Sequence, residues 1–208
     1  MIVPALLTND KEKLKRMLDV CSTFADYVQI DIMDGEFVPS RSITVNDISE
    51  LSSPIPSEAH LMAKDPLLWV EAFKKFGSKR VIFHFEIRKE HLAIVETIKK
   101  AKLEVGLAVN PSTQIKDFEF LVSKVDTILF MSVNPGFYGA KFIPDVLEKI
   151  KKFKEMYPAK LVGIDGGIKF DNVSKVAQSG VDYICIGSAI LKESDSKKAY
   201  LKILNQLK

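Results

Sequence analysis

RVIFHFEIRKEHLAIVETIKKAKLEVGLAV, residues 80–109, reads as one complete strand–helix–strand unit. The flanking runs Arg80–Phe85 and Glu104–Val109 have the length of strands, and Val81–Phe85 is as apolar as a buried parallel strand must be. Between them, Glu90–Ala101 carries the helical period. The same alternation continues on both sides. Strands are expected at Ile2–Leu6, Tyr27–Ile32, Ser57–Leu61, Thr127–Met131, Lys160–Ile164 and Tyr183–Ile186. Helices are expected at Lys11–Cys21, Val45–Leu51, Pro66–Phe76, Ile115–Val122, Pro144–Met156 and Phe170–Ser179, with a last one from Lys197. Asp65 before Pro66 reads as an N-cap followed by a proline at the first helical position. Gly77 and Gly180 read as left-handed residues closing helices.

A chain that alternates strand and helix closes into a barrel or opens into a doubly wound sheet. The first strand is followed by neither GxGxxG nor GxxxxGK[ST], the markers of nucleotide-binding open sheets. A count of eight then predicts a (β/α)8 TIM barrel, with residues 1–208 forming one domain and nothing left over for a second. The 47% hydrophobic and 27% charged composition excludes disordered and collagen-like classes. Thirty basic residues are interspersed with 27 acidic ones, so no basic block invites nucleic acid. Met1–Leu7 is too short to span a bilayer and reads as a strand, not a signal peptide. Cys21 and Cys185 show no metal or redox spacing and read as buried, reduced thiols. These observations point to a cytoplasmic protein with neither nucleic-acid nor membrane partners.

In such a barrel, chemistry sits at the C-terminal ends of the strands. The unusual polar residues fall there: Gln29 and Asp31 on one face of strand two, His60 ending strand three, His84 and Glu86 after strand four, Asp165 ending strand seven. A barrel interior disfavours an unpaired carboxylate, so the two aspartates imply metal, substrate or mutual pairing. Each also has a plainer reading, Asp31 as a loop cap and Asp165-Gly166-Gly167 as a tight turn. His84 with Glu86 reads as a structural pair, and His91 as a surface residue. Three glycine-rich turns follow the last strands: Asn134-Pro135-Gly136-Phe137-Tyr138-Gly139, Gly166-Gly167 and Gly187-Ser188. Such turns let backbone N–H groups approach an anion, and barrels commonly place a substrate phosphate there.

Taken in order, Pro4-Ala5-Leu6-Leu7, Asp31-Ile32-Met33-Asp34-Gly35, Phe37-Val38-Pro39, His60-Leu61-Met62, His84-Phe85-Glu86, Met131 through Phe137, Asp165-Gly166-Gly167 and Gly187-Ser188-Ala189 resemble the ribulose-phosphate 3-epimerase family along nearly the whole chain. The resemblance implies an isomerase that interconverts D-ribulose 5-phosphate and D-xylulose 5-phosphate through an enediolate, with Asp31 and Asp165 as the acid–base pair. It implies one divalent metal ion of the zinc, iron, manganese or cobalt class on Asp31, His60 and Asp165. Met33, Met62 and Met131 match the family's pocket lining, with Ala5 beside them. Substrate and phosphate contacts would fall on His60, Gly136, Phe137, Tyr138, Gly139, Gly166, Gly167, Gly187 and Ser188. Homo-oligomers are common in the family.

Departures from the family pattern cluster in the proposed cup. Gln29 stands where the family has a metal-binding histidine, and a glutamine oxygen suits a hard cation better than zinc. Ala5 replaces a serine, Tyr138 and Ala140 interrupt the usual phosphate turn, and Ser40-Arg41-Ser42 follows Pro39. Arg41 reads as a surface residue, with an extra anionic group on the substrate as the alternative. Three other functions fit the same scaffold: epimerisation or isomerisation of a different ketose phosphate with altered or absent metal dependence, phosphosugar binding without turnover, and decarboxylation or aldol chemistry. The last lacks its expected Asp-x-Lys-x-x-Asp after strand two.

Overall fold

The computed structural model describes residues 1–136 and 141–207. The strands are β1 (Ile2–Leu6), β2 (Val28–Met33), β3 (Ser57–Met62), β4 (Arg80–His84), β5 (Glu104–Val109), β6 (Thr127–Met131), β7 (Leu161–Asp165) and β8 (Tyr183–Ile186). They form a closed barrel in sequence order, and β1 pairs in parallel with β8 through Ile2↔Ile184, Val3↔Cys185 and Pro4↔Ile186. Around it run α1 (Lys11–Cys21), α2 (Val45–Ser49), α3 (Leu67–Phe76), α4 (His91–Lys100), α5 (Ile115–Val122), α6 (Asp145–Met156), α7 (Val173–Ala177), α8 (Ser188–Leu191) and α9 (Ser196–Asn205). The chain is a (β/α)8 TIM barrel, as the alternation predicts. Among the described residues, no helix is long and apolar enough to cross a membrane.

The apolar strands are covered on both faces, which divides the core in two. Outward residues pack against the helices; there Phe118, Phe130 and Phe153 are fully buried, with ring centroids 5.4 to 6.3 Å apart. Truncating any one to alanine would cost roughly 3–5 kcal/mol. Inward residues Val3, Ile82, Ala108, Leu129, Tyr183 and Cys185 fill the barrel. Tyr183 crosses the interior only because residue 163 is glycine: a Cβ there would lie 2.2 Å from its ring. At the N-terminal mouth Arg80 bridges the buried Glu58 at 2.8 Å and the exposed Glu104 at 2.6 Å, so that the Glu58 carboxylate is not buried alone. With that end plugged, the opposite mouth is left for ligands.

Several boundaries differ from expectation. Strand β2 runs Val28–Met33 and β7 runs Leu161–Asp165, each one residue later than the apolar pattern suggests. Pro66, with φ −66° and ψ −22°, is itself the cap of α3, and the Asp65 carboxylate instead accepts from Lys89 at 2.6 Å. Helix α7 is shorter than 170–179 because Asn172 holds the preceding turn, accepting from the Lys169 amide and donating to the Gly167 carbonyl. Gly77 and Gly180 do adopt positive φ, at 95° and 89°. The one-turn helix α8, directly after β8, has no counterpart in the sequence reading.

Candidate active site

Side chains alternate along a strand, so Gln29, Asp31 and Met33 of β2 all face inward, as do His60 and Met62 of β3. Parallel register sets Asp31 beside His60, Met33 beside Met62, Met131 beside Asp165 and Asp165 beside Cys185. The barrel's curvature then gathers Asp31, His60 and Asp165 at its C-terminal mouth. One donor atom from each lies within 4.8 Å of the others. His60 is fully buried, and each aspartate is 8% exposed, its open edge toward the mouth.

Hydrogen bonding ties this cluster into a chain that runs to Glu86. His60 Nδ1 lies 2.9 Å from Asp31 Oδ1 and 3.3 Å from Asp165 Oδ2, both acceptors. Its Nε2 lies 2.9 Å from His84 Nε2, and His84 Nδ1 faces Glu86 Oε2 at 3.3 Å. Glu86 in turn accepts from the Asn110 amide and the Thr113 hydroxyl. One imidazolium, on His60 or on His84, satisfies these hydrogen bonds; with the charge on His60, that ring donates from both nitrogens and neutral His84 accepts from it and donates to Glu86. The electrostatics favour His60. Burial works against a charged His60, but the hydrogen bonds to Asp165 and Asp31 outweigh it and raise its pKa to about 10. Burial, reinforced by the charge on His60, lowers that of His84. Burial and the neighbouring Asp165 push Asp31 up, against the pull of His60 and Gln29.

Above the cluster opens a cleft of about 130 Å³. Asp31, His60 and Asp165 line it with Ala5, Met33, Met62 and Met131, and Gly136, Gly166, Gly167, Gly187 and Ser188 line it further on. The structure therefore brings all of these predicted residues together. Phe137, Tyr138 and Gly139 lie outside the described residues. Gln29 is fully buried and is not part of the cleft wall; its Nε2 donates to Asp31 Oδ1 at 2.8 Å and to Asp165 Oδ2 at 2.7 Å. At Gly166, φ is 115° and a Cβ would lie 2.5 Å from Val133 Cγ2, so the close turn needs glycine.

Three contributors were not assigned a role from sequence. Ser132 stitches β6 to the turn after β7, its hydroxyl donating to the carbonyls of Asp165 at 3.0 Å and Gly166 at 2.6 Å. Lys169, two residues beyond the Gly166-Gly167 turn, lines the cleft with a cationic side chain. Cys185 also lines it, and its inward parity on β8 was the available signal. Arg41 is exposed, its backbone bridged to that of Asp34.

A histidine nitrogen and two carboxylate oxygens at this spacing suit a divalent cation. The chain from His84 to Glu86 supplies the outer hydrogen bond that orients a ligating imidazole.

Comparison with known proteins is consistent with this geometry. A family model described as "Ribulose-phosphate 3 epimerase family" matches residues 1–191. The ribulose-phosphate 3-epimerase of Mycobacterium leprae (strain TN) is 35% identical over 205 residues, covering 96% of this chain and 91% of that protein. That of Bacillus subtilis (strain 168) is 35% identical over 212 residues, covering 97% of each. Among solved structures, 3-hexulose-6-phosphate synthase from Salmonella typhimurium has a TM-score of 0.73 at 18% identity, over 99% of this chain and 97% of that one. At that identity the likeness speaks for the fold alone.

Proposed function

Since the chain belongs to the ribulose-phosphate 3-epimerase family, we propose that it interconverts D-ribulose 5-phosphate and D-xylulose 5-phosphate by proton transfer at carbon 3. The observation that carries this reading is the convergence of Asp31 and Asp165 in a cleft that the glycine turns also line.

The turns at Gly136, Gly166-Gly167 and Gly187-Ser188, with Lys169, would hold the phosphate and fix where the sugar carbons lie. One aspartate, ionised, takes the carbon-3 proton; the other, protonated, returns one to the opposite face. Burial and the neighbouring Asp165 suit Asp31 to the task, because they make it easier for Asp31 to hold a proton near neutral pH. Met33, Met62 and Met131 exclude water with soft, adaptable side chains, which preserves the reactive intermediate. Without a cation, His60 donates from Nδ1 toward the carboxylates and keeps both oriented into the cleft; with one, that nitrogen is free of its proton. Bound by Asp31, His60 and Asp165, a divalent cation of the zinc, iron, manganese or cobalt class would supply positive charge for the enediolate oxygens. We place this enzyme in the cytoplasm, where a phosphorylated ketose is available.

Incubating the purified chain with D-ribulose 5-phosphate and following D-xylulose 5-phosphate tests the reading. Wild type should convert it, and Asp165→Asn should lose at least about a thousandfold in kcat. No conversion by wild type supplied with a divalent cation would overturn it.

A further inference from the structure

We propose that Gln29 is a built-in competitor for the cation: its side-chain NH2 group sits among the ligand atoms and must leave them for a metal ion to bind. The inference deepens the reading of Asp31, His60 and Asp165 as a cation site and rests on it.

Gln29 Nε2 is 2.8 Å from Asp31 Oδ1, 2.7 Å from Asp165 Oδ2 and 3.4 Å from His60 Nδ1. These residues are the same three whose donor atoms could hold a metal. One nitrogen thus stands where a cation would satisfy all three, and each of its two hydrogens is given to a carboxylate. In the chain without metal, this NH2 group bridges the two buried carboxylates.

The amide is also held in that orientation from behind. The two ends of a carboxamide are told apart by their partners, and Gln29 Oε1 accepts from the Cys185 thiol at 3.0 Å. Cys185 is buried on β8, next in register to Asp165. To ligate a cation through oxygen, the amide would have to turn over. It would then present NH2 to a thiol and forfeit two hydrogen bonds to charged acceptors, which are the strong kind. Histidine, which the family pattern carries at this position, can offer a lone pair to the metal. The amide as held here offers protons. Its effect on metal affinity is therefore negative.

The test uses the full-length chain stripped of metal, with Zn²⁺ alone and Mn²⁺ alone as probes and dissociation constants measured by calorimetry and chelator competition. Gln29→Leu removes the NH2 group and leaves a side chain that cannot ligate. If Gln29 competes, this variant binds both ions about tenfold or more tightly than wild type, the magnitude expected when a hydrogen bond to a charged group no longer opposes binding. Its metal-free form should also melt at lower temperature, because the two carboxylates lose their bridge. Unchanged or weaker binding by Gln29→Leu overturns the proposal, and weaker binding makes Gln29 an oxygen ligand. Should Gln29→Leu fail to fold, Cys185→Ala decides instead. Freeing the amide oxygen to turn should tighten binding by roughly threefold (under half of the worth of a typical hydrogen bond lost to a charged partner), and equal or weaker binding again overturns the idea. Absence of cation binding in wild type and in both variants sinks the cation site and this inference together. A chain that shows the predicted order of affinities yet converts no ketose phosphate sinks only the proposed activity.

Discussion

Replacing Asp31 with asparagine should abolish turnover and stabilise the fold at once. Both hydrogen bonds that Asp31 receives, from Gln29 at 2.8 Å and His60 at 2.9 Å, end on the same oxygen, Oδ1. An asparagine carbonyl can keep both and turn its NH2 toward the cleft. What disappears is the charge. Burial and the neighbouring Asp165 push the Asp31 pKa from 3.8 to about 6. At about 1.4 kcal/mol per pKa unit, carrying that charge at pH 7.5 costs the folded state up to ~3 kcal/mol. For a chain of this length each kcal/mol moves Tm by roughly 2–4 °C. Metal-stripped Asp31→Asn should therefore melt above metal-stripped wild type at pH 7.5, by up to roughly 6–12 °C in circular dichroism. The sign can be checked by titration. A carboxyl whose folded pKa is raised favours the fold while protonated, and that benefit is lost as pH rises from its ordinary value through the raised one. The gap between the two proteins should accordingly close below about pH 4, where wild type is protonated both folded and unfolded. With metal restored, the variant's kcat should fall at least about a thousandfold. A variant that melts below wild type at pH 7.5, or that retains turnover, refutes the reasoning.

Other expectations follow from the same cluster and scaffold. The raised pKa of His60 gives metal-free protein a contribution to stability that is fully present below about 6.5 and lost as pH climbs through about 10. Urea unfolding at pH 6.5, 8 and 9.5 should show that decline in wild type to be steeper than in His60→Gln; equal slopes would contradict it. Gly163→Ala forces a Cβ to 2.2 Å from the buried Tyr183 ring and should destabilise by about 3 kcal/mol. Pairing it with Tyr183→Ala should cost less than the two changes summed, as urea midpoints will reveal. Gly166→Ala strains a φ of 115° and drives into Val133. It should raise KM for the phosphorylated ketose about tenfold, a loss of one or two backbone contacts to phosphate, while an unchanged KM would remove that turn from the binding site.

The barrel was legible because buried parallel strands are apolar runs, and eight of them alternate with helical segments from Ile2 to Ile186. The three charged members of the cluster were legible for the complementary reason: Asp31, His60 and Asp165 interrupt those runs at strand ends, where an interior position tolerates charge only with a partner. Contacts made across the fold were not. Gln29 read as a substitute ligand, yet its orientation depends on Cys185, 156 residues away in sequence. Asn172 shortens α7 through hydrogen bonds that periodicity does not register. His91 read as a surface residue because charged residues surround it. The structure half-buries it, with its ring stacked 5.0 Å from Phe85 and its Nε2 on the Phe85 carbonyl. A histidine can satisfy its polar edge on one backbone oxygen while its face packs, and neighbouring charges in sequence say nothing about that.

Two carboxylates from opposite parts of the chain are proposed to trade a proton with one sugar carbon, and the most direct measurement of that is hydrogen exchange at the carbon itself. D-Ribulose 5-phosphate incubated with the metal-loaded chain in D2O should acquire one deuterium at carbon 3, in both epimers recovered, as read by NMR. Asp31→Asn and Asp165→Asn should each abolish epimer formation, and because the one aspartate left reaches a single face, D-ribulose 5-phosphate should take up deuterium in at most one of the two variants. Deuterium uptake from D-ribulose 5-phosphate at full rate in both variants, or epimer formation without deuterium in wild type, would contradict the account.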